Sequence, residues 1–139
     1  MKTSSFLCAG ALLMLLGAAC PALAEEELAP GFNECMEKSG GVTADMLMCL
    51  NDAYDHWDTV LNENYAAAMK LCDESADPKV CKDKLRRAER LWVQYKDAMA
   101  EALAEFEGGG TASTVMASDF MAGETKRQAR LLGTFLPKE

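Results

Sequence analysis

Between residues 47 and 71 the apolar positions keep a fixed rhythm: Leu47, Leu50, Tyr54, Trp57, Leu61, Asn64, Ala68 and Leu71 alternate steps of three and four. That is the period of one helix face, and it predicts a long amphipathic helix. Thr43 is placed to cap it, its hydroxyl taking a free amide of the first turn, with Asp45 near the positive end of the dipole. A second stripe, Cys81, Leu85, Ala88, Trp92, Tyr95, Met99, Ala102 and Phe106, has the same rhythm. Asp77 is its N-cap and Pro78 its first helical residue, while Gly108-Gly109-Gly110 ends it, because three glycines make continuation costly. Upstream, a short helix is expected from about Pro30 to Ser39, closed by Gly40-Gly41. Downstream, residues 108–118 are small, polar and glycine-rich and read as a surface loop. A last helix is expected from about Asp119 to Phe135, stopped by Pro137, with Met121, Leu132 and Phe135 returning to the rest. No alternating strand pattern and no internal repeat is visible.

Two long stripes joined by a short corner predict an antiparallel helical hairpin. With the corner near residues 76 and 77, Leu61 falls opposite Trp92, Tyr54 opposite Met99 and Leu47 opposite Phe106, so Trp92 is expected to be buried against Leu61. Charge fits this register. Asp55, Asp58 and Glu63 on the first arm face Lys82, Lys84, Arg86, Arg87, Arg90 and Lys96 on the second, and Glu63 is expected within reach of Arg90. The fold class is therefore all-α: an antiparallel hairpin with short N- and C-terminal helices, a small disulfide-stapled bundle.

The staples come from the cysteines, and their meaning depends on the first 24 residues. Lys2, the apolar run from Phe6 to Leu16 and Ala22-Leu23-Ala24 form the three parts of a secretory signal. Cleavage after Ala24 leaves residues 25–139 as one domain in a periplasmic or secreted setting. An alternative cut before Cys20 would give a lipid-anchored form, but Gly17 stands where a lipobox carries a larger aliphatic residue. Cys8 and Cys20 leave with the signal, and four cysteines remain: Cys35, Cys49, Cys72 and Cys81. An even count in a small exported chain reads as disulfides. Gly40-Gly41 turns the chain between the first two and Asp77-Pro78 between the last two, which favours the local pairs Cys35–Cys49 and Cys72–Cys81. The spacings of 14 and 9, with one histidine in the chain, do not suit zinc.

Charge narrows the partners. The chain carries −8, and loss of Lys2 with the signal makes it −9. Nucleic acid and anionic membranes are disfavoured, because binding to either is driven by Lys and Arg displacing counterions; a basic protein suits it better. No transmembrane span is expected once the signal is removed. Catalytic ingredients are absent too. His56 lies off the stripe and reads as a solvated helix residue, and Asp55 and Asp58 without a cleft read as surface charge. Met36, Met46 and Met48 beside Cys35 and Cys49 suggest soft copper ligands, but the thiols are accounted for by the disulfide and methionine is a common core filler. The reading is of a non-enzyme with no metal and no cofactor.

One resemblance spans nearly the whole mature chain. Cys35, Thr43 and Cys49 are followed by Trp57-Asp58-x-x-Leu61-Asn62-x-x-Tyr65. Then come Trp92-x-x-Tyr95-Lys96-Asp97, the run Gly108 to Gly110, and Glu124-Thr125-x-Arg127-Gln128-Ala129-x-x-Leu132. In order and spacing this resembles the lysozyme inhibitor LprI-type family, a helical module of bacterial envelope proteins. The resemblance implies a non-catalytic binder with lysozyme, a strongly basic hydrolase, as its target; the same features suit an envelope interaction module without lysozyme activity. Trp57, Leu61, Trp92 and Tyr95 are expected in the core. Asp58, Asn62 and Asp97 are expected to fix the hairpin register by hydrogen bonds and ion pairs, with Thr125 and Arg127 doing so for the last helix. Gly108, Gly109, Gly110 and Thr111 form the candidate partner-binding loop. Many members carry a further pair of cysteines where this chain has Met99-Ala100 and Ser118 to Met121, so the last helix is expected to be held more loosely.

Overall fold

Glycine, proline and the paired cysteines cut the chain where the sequence places them. The computed structural model describes residues 26–106 and 108–137; the signal reading of residues 1–24 lies outside them. Among the described residues the structure is all-helical: α1 (Phe32–Ser39), α2 (Thr43–Leu71), a short 3-10 turn (Cys72–Glu74), α3 (Pro78–Phe106) and α4 (Thr111–Gly133). Cys35 pairs with Cys49 and Cys72 with Cys81, each closing a corner. The Asp77 carboxylate accepts the Val80 amide at 3.0 Å, capping α3 as expected. Thr43 is not a cap. It is already helical, and Val42 fills the cap position in extended backbone without a side-chain bond.

The largest departure is α4, which begins at Thr111 rather than near Asp119. Residues 111–118 have weak helix propensity, but Ser113 is buried and its hydroxyl, like that of Thr114, donates back to the Gly110 carbonyl at 2.9 Å. Tertiary packing overrides propensity here. Only Gly108–Gly110 remain as turn, all at positive φ, where side chains other than glycine are strained.

α4 also changes the architecture. Its stripe Ala122, Thr125, Ala129 and Leu132 is fully covered and lies along α2, where Ala53, Leu61 and Ala68 are buried. The two helices come close because these residues are small: a Cβ on Gly133 would sit 3.1 Å from the Asn64 amide nitrogen, which donates to the Ala129 carbonyl at 2.8 Å. α4 packs against α3 as well, so the arms α2 and α3 splay apart, with scarcely any close backbone approach between them. The expected face-to-face hairpin is therefore corrected. The face of α2 meant for α3 is filled by α4, and the last helix is central, not loosely held.

The register falls with it. Trp92 is only half-buried, though it does reach the cluster around Leu61, Ala129 and Leu132. Tyr95 is half exposed and Phe106 is 85% exposed, so Leu47 has no partner there. The covered face of α3 runs instead through Leu85, Glu89, Trp92, Lys96, Ala100 and Leu103. Among the described residues no ion pair joins Asp55, Asp58 or Glu63 to α3, and Glu63 does not pair with Arg90. Among the described residues, Lys82 pairs with Asp73 in the corner, and Lys79 and Arg86 pair with Asp83 on their own helix.

Candidate functional site

Because α4 wedges α2 and α3 apart, the hairpin that was expected to close leaves an open cleft of about 690 Å³ between its arms. Six of the singled-out residues line it: Asp58, Leu61, Asn62 and Tyr65 from α2, Trp92 and Asp97 from α3. They do not knit the register. Asn62 donates to the Asp58 carboxylate at 3.0 Å and to its carbonyl at 2.8 Å, all within α2, and Asp97 is exposed.

The other motif residues lie elsewhere. The Trp57 indole donates to the Leu28 carbonyl at 2.6 Å and pins the N-terminal segment, while Lys126 and Arg130 sit over its ring. Glu26 pairs with Arg130, which holds its carboxyl below the usual range and raises the guanidinium above its own. Tyr95 lies outside the cleft and meets Phe120 edge to face. Thr125 is in the core, donating to the Met121 carbonyl at 2.8 Å, and Arg127 pairs with Glu124 on its own helix.

Polar contacts fix the wall that α3 gives to the cleft. The Trp92 indole donates to Glu124 at 3.2 Å, and Gln128 donates to Glu89. Burial pushes the Glu89 carboxyl up, and the Gln128 bond opposes this only in part. Beyond them lies Lys96, 5% exposed and the one buried residue of α3. Its ammonium donates to the Tyr54 hydroxyl at 3.2 Å and lies 5.0 Å from the Tyr54 ring centroid and 4.9 Å from that of Trp92. No carboxylate of the described residues is within 4.0 Å of it. Two desolvated cation–π contacts recover about 2 kcal/mol or more each. Withdrawing an ammonium from water costs several kcal/mol, and the two rings and the Tyr54 hydroxyl supply compensation of that order without a counter-charge.

Sequence reasoning named Lys96 only as a motif residue and as one of the basic residues facing the first arm, not as a buried group, and it missed Glu89, because both are charged residues on a covered helix face. The available signal was spacing: Lys96 stands four residues after Trp92 and so shares its side of the helix. The candidate loop is exposed at Gly108, Gly109, Gly110 and Thr111, beside Phe106, but Thr111 belongs to α4. Among the described residues no group of three or more His, Cys, Asp or Glu is placed to hold a metal, and no helix is long and apolar enough to cross a membrane.

A family model described as "Lysozyme inhibitor LprI" matches residues 35–132, from within α1 to the buried Leu132 of α4. Neither a curated protein nor a solved structure matches the chain.

Proposed function

The chain belongs to the lysozyme inhibitor LprI family, and from that premise we propose that it is an exported, non-catalytic protein that binds and inhibits a basic lysozyme. The family match over 35–132 carries this reading. Charge supports it, since an excess of acid steers encounter with a cationic enzyme. The secretory signal read in residues 1–24 supports export. The contacts that Glu26, Glu27 and Leu28 make with α2 and α4 all lie on the mature side of a cut after Ala24.

The exposed turn between α3 and α4 is the contact we assign. Phe106 offers a large apolar side chain to solvent, and Glu101 and Glu105 lead up to it on the same helix. Phe106 fills a pocket on the enzyme while the acids meet its basic rim. The test is turnover of a basic lysozyme in the presence of the oxidised protein. Inhibition is expected to weaken as salt rises, because screening shortens the reach of exposed charges to about 10 Å at 0.1 M. Phe106→Ala is expected to raise the inhibition constant about tenfold, the weight of an aromatic anchor. Inhibition that ignores Phe106→Ala moves the contact off this turn. No inhibition at any salt concentration leaves the envelope-module reading in its place.

A further inference from the structure

Among the described residues Lys96 is the one charged side chain that is buried, and it faces an open cleft with no counter-charge of its own. Buried charges in proteins are as a rule paired. One donor of the ammonium reaches the Tyr54 hydroxyl, and no carboxylate takes either of the other two. The cleft is of ligand size, within the roughly 300–1,000 Å³ typical of small-molecule sites. It is walled by the Trp92 and Tyr54 rings, with Leu61 and Met121 among its apolar lining.

We propose that this cleft binds a small organic anion, a carboxylate carried on a flat apolar body. The carboxylate sits on the Lys96 ammonium and the body lies between the arms against Trp92 and Tyr54. Arg86 and Arg90 also line the cleft, and with Lys96 they make three cations against the three carboxylates Asp58, Glu89 and Asp97, so a polyanion meets no excess of positive charge there and the buried ammonium is the anchor for a single carboxylate. This binding is separate from the lysozyme contact at the α3–α4 turn, and either can fail without the other.

The test uses the oxidised protein with 2-naphthoate and its uncharged analogue 2-naphthamide as probes, followed by calorimetry and by the two indole N–H resonances in NMR. Trp57 and Trp92 have different partners, Leu28 and Glu124, and so report separately. One naphthoate is expected to bind per chain, at least about tenfold tighter than the amide, shifting the Trp92 resonance and leaving that of Trp57 in place. Lys96→Met is expected to weaken naphthoate about tenfold or more, removing the preference over the amide, while Lys96→Arg keeps it. Should Lys96→Met fail to fold, the acid-against-amide comparison and the Trp92 shift on the unaltered protein still decide. Equal affinity for acid and amide, no binding, a shift at Trp57 instead of Trp92, or an unchanged affinity in a folded Lys96→Met overturns the proposal.

Discussion

Glu89 and Lys96 are charged residues on the covered face of α3, and each is tolerated for a different reason. Glu89 is held by Gln128 from α4, and burial still pushes its carboxyl above the usual range. A carboxyl raised in the folded state contributes most when protonated, and that contribution is lost as pH rises through the folded value. Glu89→Gln keeps an amide for Gln128 to bond and removes the charge. It is therefore expected to raise the melting temperature at pH 7, with the gap closing as pH falls through the carboxylate range; a constant gap across pH would contradict this. Leu132 shows the opposite case, an apolar side chain 1% exposed between α2 and α4. Leu132→Ala is expected to cost about 2–5 kcal/mol in chemical denaturation, the range for emptying a well-packed site.

Each helix boundary has its own physical cause. α3 starts where Asp77 caps and Pro78 pre-sets φ, so Asp77→Ala is expected to lower stability by about 1 kcal/mol, read by denaturant titration. α4 starts where nothing in local sequence favours a helix, directly after Gly110 at φ 121°. Its first turn forms because Ser113 is covered and because two hydroxyls bond back to one carbonyl. The stripe through Ala122, Thr125 and Ala129 is made of small residues, which carry little hydropathy signal but allow close helix approach.

For the whole molecule, α4 is the keystone, since the backbones of α2 and α3 come close to it rather than to each other, and only side chains such as Lys96 and Tyr54 meet between the two arms. A chain ending at Gly110 leaves Ala53, Leu61 and Ala68 of α2 uncovered. It is expected to lose its cooperative thermal transition, seen by circular dichroism, although both disulfides can still form. A sharp transition retained in that truncation would restore the closed hairpin as the stable unit. The wedge also makes the cleft, so the site and the fold depend on the same helix.

The sequence alone determined what is local or covalent. The all-helical class, the two disulfides, the cap at Asp77 and the stop at Gly108 to Gly110 rest on periods, turns and spacings between near neighbours. The family also lay in the order of residues such as Trp57, Asp58, Trp92 and Asp97. Tertiary structure decided which helix covers which. The periodic stripes of α2 and α3 matched each other as well as they matched anything, while the true partner, α4, presented alanines and a threonine whose value lies in close approach rather than hydropathy. Rotating α3 to meet α4 placed Glu89 and Lys96 inward and Tyr95 and Phe106 outward. Asp58, Asn62 and Asp97 thereby line an open cleft instead of joining two arms, an outcome that depends on contacts between residues dozens of positions apart and has no local signature.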